Sequence, residues 1–581
     1  MPAENSGDVI AFPCCAIHVS EPPKSRSLAM IHRRSSLKLL AWAGLFLTLL
    51  LCSCEQPERP AEQAATGTTA KEQRRAGGIY RTPLLNNPAT LDPAYVLDEY
   101  SAAVVQQLFD GLVRFDPYLL VLPALAESWR IEDNGRRYRF VLQEGARFHN
   151  GAPVTAEDVV FSLSRLLRID PSPPALPHLL KITGARAYRE QTSETVAGLR
   201  ALDKGVVLVE LDEPHAPFLT ALGMYQAKIV PETEVISLGD DFGRNPVGSG
   251  PFRFVSWEAN TRITLARNPE YFGASSYLDE VEYAIFPGVG VDQLLADFEG
   301  GGLDEMPVLG GVRQELSGVE GLQWFHRPAL WLMFYGIRGD HPPLDDPGFR
   351  RRLSATLDRE RIIDQVYSGQ FDPATRILPP GMPGVSQKNF HEYEETRHLQ
   401  NDTDDSPTMA APKRISLEIV STSNSSFAQT ELSLVREAWA EIGVDLSIKY
   451  ITDWSEFEAY INSDSVQLYR LSWSAEMPDP DGFLDPLFGS EGLVNFMRFE
   501  DQRIDDLLQS ARGETDPGKR AAMYGEIEAA IMAETPIIPL IFNSVDRVYK
   551  PYVRDAQPSA LGAHYMSLHQ VWFDLDAQKS R

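Results

Sequence analysis

Arg470 and Glu476 are the residues whose types and spacing best suit chemistry, and that chemistry is binding. The pattern from Tyr469 to Glu476 predicts a strand that runs into a loop at Pro478 and Pro480. Charged side chains at such a strand end commonly line a cleft, because loops on a rigid scaffold supply many binding groups. An arginine and a glutamate in one segment are, however, more often members of an internal ion pair. The residues alone leave both interpretations open.

The common catalytic constellations are absent from the sequence. It contains no His-Glu-x-x-His, no Gly-x-Ser-x-Gly and no Gly-x-x-x-x-Gly-Lys-Ser/Thr. The 11 histidines are scattered, and although His149 and His326 are candidates for metal binding, a lone histidine beside aromatic residues is more often structural. We therefore expect a protein that is not an enzyme and that has no catalytic residues, no cofactor and no metal site.

The N-terminal segment predicts export. A basic cluster, Arg33, Arg34 and Lys38, precedes 13 uncharged residues from Leu39 to Leu51. This run is too short to cross a membrane comfortably as a helix and is typical of a signal peptide. It ends in Leu-Cys-Ser-Cys, which resembles a bacterial lipobox, so we predict that Cys54 is lipidated and becomes the first residue of the mature protein.

Residues 1–29 fit a signal peptide poorly, so we expect translation to start at Met30, with the signal peptide at 30–53. Residues 54–76 are polar and are expected to be a flexible tether. The 4 cysteines lie at positions 14, 15, 52 and 54, so the mature chain would keep Cys54 alone, without a disulfide. Arg33 and Arg34 also suggest twin-arginine export, but Ser36 makes the general secretory route the better prediction. Inner or outer membrane anchoring stays open.

Size and charge narrow the class of protein. A chain of 581 residues exceeds the size at which one core stops growing, so at least two lobes are expected. Its 43% hydrophobic content excludes disorder of the whole chain. The formal net charge of -27 argues against nucleic acid as a partner.

Strand-like and helix-like patterns alternate along the chain, which predicts an α/β fold. The strand patterns lie at Arg137 to Leu142, Val206 to Leu211 and Ile415 to Val420. The helix patterns lie at Tyr100 to Leu112, at Val159 to Leu167 after a start at Thr155, and at Phe427 to Ile442. Residues 387–413 are polar and predict a loose segment.

Seven strings in fixed order resemble the family of periplasmic oligopeptide- and dipeptide-binding proteins, family 5 of the extracellular solute-binding proteins of ABC importers. They are TLDP at 90–93, QLFDGLVRFD at 107–116, PALAESW at 123–129, FHNGAPVTAEDVVFSL at 148–163, PVGSGPFRFVSW at 246–257, LARNPEYFG at 265–273 and FRRRL at 349–353. Segments 473–480 and 529–552 complete the pattern. In this interpretation Gly248 and Gly250 serve a tight turn.

The resemblance implies a two-lobed periplasmic-binding-protein fold with an extra small domain inserted in the first lobe. The implied divisions are lobe I at 77–108, 229–336 and 546–577, the inserted domain at 109–228, and lobe II at 337–545. The implied function is capture of a short peptide by lobe closure and delivery to an ABC permease with cytoplasmic ATPases. We expect a lipid-anchored monomer on the periplasmic or extracellular face of the membrane.

The resemblance also assigns roles to individual residues. Glu476 stands where the family commonly has aspartate and would receive the ligand's ammonium group, while Arg470 would meet a ligand carboxylate with two parallel hydrogen bonds. Trp473, Ser474 and Asn495 would line the cleft. Members of the family also carry nickel chelates, oligosaccharides, opines or haem, and some are sensors, so a non-peptide cargo or a sensor role remains the alternative.

Overall fold

The structure, a computed structural model, describes residues 74–385 and 414–574, which all belong to one compact unit. The predicted leader, signal peptide, Cys54 lipidation site and loose segment 387–413 lie outside the described residues. Across residues 74–385 and 414–574, no helix combines the length and the apolar character needed to cross a membrane.

Strands and helices alternate through the described residues. The strands are β1 Ile79–Leu84, β2 Val113–Phe115, β3 Val121–Pro123, β4 Ala126–Glu132, β5 Arg137–Leu142, β6 Leu199–Asp203, β7 Val206–Glu210, β8 Phe252–Glu258, β9 Arg262–Arg267, β10 Glu280–Ile285, β11 Glu305–Pro307, β12 Gln323–Ile337, β13 Asp372–Pro373, β14 Ile415–Ser421, β15 Val444–Tyr450, β16 Leu468–Ser474, β17 Ile537–Tyr549, β18 Val553–Arg554 and β19 Trp572–Phe573. The helices are α1 Glu99–Leu108, α2 Ala156–Leu166, α3 Leu176–Leu179, α4 Ala185–Arg189, α5 Pro217–Ala221, α6 Glu232–Leu238, α7 Val291–Glu299, α8 Val312–Glu315, α9 Pro347–Ala355, α10 Arg359–Tyr367, α11 Ser426–Glu441, α12 Trp454–Ile461, α13 Asp481–Phe488, α14 Gln502–Gly513 and α15 Pro517–Glu534.

Lobe I is built on a sheet of strand order β1-β10-β9-β8. Its core combines residues from the start of the described chain, from 225–285 and from 549–573, so its last strands return from the far end of the sequence. Here α1 ends at Leu108, because the chain turns extended at Phe109. The insert is a separate sheet of order β4-β5-β7-β6, with a core drawn mainly from residues 112–229.

The largest sheet is mixed, with order β11-β17-β12-β16-β14-β15 and with β13 paired to β17; its strands β14, β15 and β16 belong to lobe II. Strand β14 is parallel to both β15 and β16, so the carboxyl ends of these strands meet at one edge. Ligands of open α/β sheets commonly bind beside this edge, because the loops that leave the strands line it. Helix α11 begins directly after β14, and the loop that contains Glu476 begins directly after β16.

The long strands β12 and β17 connect the two lobes. The two strands pair in three registers, with an interruption on β12 between Pro328 and Leu332 and a second shift between Met333 and Phe334. Below the interruption, β17 also pairs with β11, and above it β12 pairs with β16. A bulge in such a pair bends the strand locally and ends regular pairing. The regular pairing of β12 with β17 is therefore interrupted in the middle of both strands.

Local sequence patterns predicted these elements well. Strand β5 has the predicted bounds, and β7 and β14 match to within one residue. Helix α2 begins with a capping box, in which the Thr155 side chain accepts from the Asp158 N–H while the Asp158 carboxylate accepts from the Thr155 N–H.

The reason given for Gly248 and Gly250 was incomplete. Neither has a positive φ; both let the chain approach the end of α1, where the Gly250 N–H donates to the Leu108 carbonyl at 2.9 Å. A Cβ on Gly248 would lie 1.9 Å from the Leu108 oxygen.

Candidate functional site

The loop after β16 is held at the junction of the two lobes. Leu330 lies inside the interruption of β12, and its backbone bonds in two directions. Its N–H donates to the Ala560 carbonyl of lobe I at 2.8 Å, and its carbonyl accepts from the Ala475 N–H of lobe II at 3.0 Å. Glu476 follows immediately, so its position is fixed by backbone bonds from the connecting strand.

Glu476 is an acid without a polar partner among the described residues. Its side chain is accessible to solvent, yet the surrounding protein removes enough water to raise the pKa of the carboxyl above its ordinary value. Among residues 74–385 and 414–574, no hydrogen bond or ion pair to this carboxylate is present. A carboxylate that is partly desolvated and lacks a partner is well suited to receive a cation.

Lobe I and the insert together form an aromatic cluster near this acid. The charge of Glu476 contributes to the raised pKa of Tyr565, after the larger effect of burial, so the carboxylate acts across the lobe boundary. The Tyr565 ring lies 5.5 Å from that of Tyr225 and 6.0 Å from that of Phe115, measured between centroids. His564 lies edge-on to Tyr225, and burial lowers its pKa to about 4, which keeps the imidazole neutral. Aromatic faces beside a carboxylate favour an ammonium group.

The residues after Glu476 fasten the loop to the insert and to the last helices. Met477 is 3% exposed and belongs to the hydrophobic core of the insert, although it comes from lobe II. Asp479 accepts two hydrogen bonds from the Arg520 guanidinium, at 2.7 and 2.8 Å. The Arg512 carbonyl in turn accepts from the Ala216 N–H of the insert at 2.7 Å. The acid is thus presented by an anchored loop.

Arg470 does not face Glu476; it pairs with another acid. Its Nε donates to Glu431 Oε1 at 2.8 Å and its Nη2 donates to Oε2 at 3.0 Å. The guanidinium is 12% exposed and the Glu431 side chain is 0% exposed. The internal ion pair that the sequence left open is therefore present, with a partner 39 residues away.

The other predicted site residues divide into two groups. Trp473 is half-buried, and its Nε1 donates to the Gly482 carbonyl at 2.8 Å, while Ser474 is exposed at the end of β16. Both stand next to Glu476. Asn495 instead clamps its own loop, because its amide donates to the Gly489 and Phe499 carbonyls and accepts from the Phe499 N–H. Its polar atoms are engaged within lobe II.

The two histidines considered for metal binding have local partners. The Gly248 N–H donates to His149 Nδ1 at 3.2 Å, and His149 Nε2 lies 3.1 Å from the Gly250 carbonyl. His326 lies between Asp372 and Asp546, 3.2 and 2.9 Å away. In the described part of the chain, no group of three or more potential metal-ligating side chains is arranged to hold an ion.

Comparison with known proteins decides the class. The model of the family described as bacterial extracellular solute-binding proteins, family 5 Middle, matches residues 121–495, more than half of the chain. The chain belongs to this family. Family 5 proteins are the solute-binding components of ABC importers and not enzymes, so the chain is a binding protein of the periplasmic or extracellular type.

Relatives and solved structures agree with this assignment. The probable deoxycholate-binding periplasmic protein YgiS of Escherichia coli (strain K12) is 28% identical over 494 residues, covering 82% of this chain and 90% of the relative. The probable di/tripeptide-binding protein 5 of Pseudomonas aeruginosa (strain UCBPP-PA14) is 28% identical over 483 residues, covering 78% and 88%. The unliganded open form of the periplasmic murein tripeptide binding protein MppA matches with a TM-score of 0.74 at 23% identity, covering 87% of this chain and 98% of that chain. The predicted two-lobed α/β fold is confirmed.

Sequence reasoning missed the aromatic cluster that lobe I and the insert form near Glu476. Tyr565 and its neighbours Tyr225 and Phe115 come from three distant segments, and nothing local marks them as a group. The available signal was the aromatic pair His564 and Tyr565, which follows Gly562 and Ala563.

Proposed function

We propose that this solute-binding protein captures short peptides between lobe I and lobe II and delivers them to the membrane permease of an ABC importer. The observation that carries the proposal is the unpaired carboxylate of Glu476 opposite the aromatic cluster around Tyr565. A peptide's N-terminal ammonium group would supply the missing positive charge. Charge-assisted hydrogen bonds of this kind are shorter and stronger than neutral ones.

The rest of a peptide would be held through its main chain. An extended peptide can pair its N–H and C=O groups with strand edges, which gives affinity without dependence on side-chain identity. Ser474 and Trp473 stand at the exposed end of β16, beside Glu476, and would contact the first residues of the cargo. The amide of Asn495 would support the neighbouring loop.

Lobe closure would use the two long strands as its hinge. The interruption of β12 between Pro328 and Leu332 faces Phe542 to Ser544 on β17, so few regular ladder bonds resist bending there. We place lobe I at 77–108, 229–336 and 546–577, the insert at 109–228 and lobe II at 337–545, with the bend itself a few residues before the end of β12. Hinges commonly lie at such element junctions.

Anchoring and partners complete the proposal. Lipidation of Cys54 would hold a monomer on the outer face of a membrane, with residues 55–76 as a tether. The permease would receive the closed, loaded form, and cytoplasmic ATPases would drive release.

The test is to purify the protein from Cys54 onward, denature it and identify by mass spectrometry what it releases. Peptides with free N-termini are expected. A sugar, nickel chelate, opine, haem or bile acid would contradict the peptide assignment and select the alternative within the same family. A bile acid such as deoxycholate is an anion and would meet Glu476 with like charge, so the geometry favours the amine.

A further inference from the structure

Glu431 stands at the centre of a buried polar cluster in lobe II. Each of its two oxygens accepts from the Arg470 guanidinium and from one tyrosine: Tyr335 donates to Oε1 at 2.8 Å, and Tyr367 donates to Oε2. The Arg470 Nη2 also lies 3.4 Å from the Tyr367 hydroxyl oxygen. Four donors therefore satisfy one carboxylate.

Glu431 neutralises the positive charge of Arg470. Burial alone would raise the pKa of Glu431, but the charge and hydrogen bonds of Arg470 and the two tyrosine hydroxyls outweigh burial and lower it. The acid therefore stays ionised at neutral pH and cancels the guanidinium charge. Arg470 and Glu431 form a parallel two-bond pair, the arrangement that a ligand carboxylate would otherwise make with the same arginine.

A ligand carboxylate would have to displace Glu431 to use Arg470. Displacement would leave a fully buried carboxylate without its cation, which proteins avoid because a buried charge is costly unless paired. Binding without displacement would bring two carboxylates to one guanidinium. Neither route gives a favourable site for an anion.

Glu431 and Glu476 thus differ in whether hydrogen-bond donors surround the carboxylate. Glu431 has a full set of donors, whereas Glu476 has none among the described residues. Among these described residues, the Arg470–Glu431 pair offers no net charge to cargo, whereas the Glu476 carboxylate offers a negative one. The protein would therefore recognise a cargo through its positively charged end.

We infer that Glu431 is a specificity-determining residue that occupies Arg470, so that the protein reads the ammonium end of its cargo and leaves the carboxyl end unread. This inference rests on the proposed function and narrows the cargo class. The cargo would be amine-bearing peptides irrespective of whether their carboxyl end is free, amidated or extended. The sequence-based role of Arg470 as a ligand-carboxylate partner would then not apply.

The experiment compares trialanine and pentaalanine, each as free acid and as C-terminal amide, by calorimetric titration of the wild-type protein. We expect acid and amide to bind within about fivefold of each other, since no net cation meets the carboxyl end. A wider preference for the acid overturns the inference. In Glu431→Gln, which keeps the side-chain shape but frees the guanidinium charge, the acid should gain more than about fivefold over the amide. Adding Arg470→Met should remove that gain, and an unchanged ratio in Glu431→Gln also overturns the inference.

Acetate provides a test that needs neither peptide binding nor the amine site. At equal ionic strength, replacing chloride by acetate should leave the unfolding temperature of the wild type unchanged and raise that of Glu431→Gln. An acetate response in the wild type that Arg470→Met removes, or an equal response in the wild type and Glu431→Gln, overturns the inference. If no peptide binds while the acetate pattern holds, the peptide proposal fails and the silencing of Arg470 stands. If Glu431→Gln does not fold, the acid-to-amide ratio of the wild type decides.

Discussion

Replacing Glu476 by glutamine should weaken cargo binding and at the same time stabilise the empty protein. The substitution removes one negative charge and preserves the side-chain volume. Loss of a hydrogen bond to a charged group costs about 1.5 to 3 kcal/mol. This corresponds to a roughly 10- to 150-fold higher dissociation constant for a peptide with a free amine. The affinity for a peptide with an acetylated N-terminus should change little.

The stability effect has the opposite sign because burial raises the pKa of Glu476 in the folded protein. A carboxyl with a raised pKa stabilises the fold at pH below its unfolded pKa, and this contribution disappears as the pH rises through the folded pKa. Near neutral pH the ionised Glu476 therefore opposes folding, and glutamine relieves it. Solvent screens the charge of this exposed side chain, so we expect the gain in stability to be small.

Two measurements check this prediction. Calorimetric titration with the released peptide gives the affinity, and urea unfolding between acid and neutral pH gives the stability. Glu441→Gln is the matched control, because Glu441 is exposed at the end of α11 that lies away from the cleft. Unchanged affinity would remove Glu476 from the site. A loss of stability near neutral pH would show that the folded protein already pairs the carboxylate, which would refute the reasoning.

Three further predictions, at Met477, Gly248 and His326, test the framework around the site. Met477→Ala should cost about 2 to 4 kcal/mol in urea unfolding because the side chain is 3% exposed within the insert core, whereas Met477→Leu should cost less than about 1.5 kcal/mol. Gly248→Ala should prevent folding or lower the unfolding temperature sharply, since its Cβ would meet a carbonyl of α1, while Gly290→Ala, with open space around it, should change little in the same thermal scan. The pKa of His326 is raised to about 10, first by its hydrogen bond to Asp372. The protonated imidazole should therefore stabilise the fold fully below its unfolded pKa, and this contribution should fade as the pH approaches 10. An identical alkaline stability profile in His326→Gln would contradict this.

What the sequence predicted, and what it could not, follows from the range of the interactions. The capping box at Thr155 and the strand at Arg137–Leu142 depend on neighbouring residues, so local patterns identified them. The strand that carries Arg470 and the loop that carries Glu476 were predicted for the same reason.

The partners of these residues depend on the tertiary fold. Glu431 is 39 residues from Arg470 along the chain, and Met477 enters a core formed by residues more than 200 positions earlier. No local pattern distinguishes a paired arginine from one that faces a ligand. Asn495 illustrates the same limit, because its amide bonds were decided by how its loop closes.

Because Met477 and Glu476 are adjacent in sequence, the core of the insert and the proposed cargo site are coupled. Without this coupling, the insert could be exchanged between relatives without affecting the site. Met477 is buried among the apolar side chains of the insert, and Glu476 beside it is the acid proposed to bind the cargo. A chimaera that receives residues 109–228 from a relative would then need the matching segment after β16 as well. Otherwise Met477 would no longer pack into the core of the insert, and Glu476 would shift. The preference for cargo would then change although no residue in contact with the cargo had been replaced.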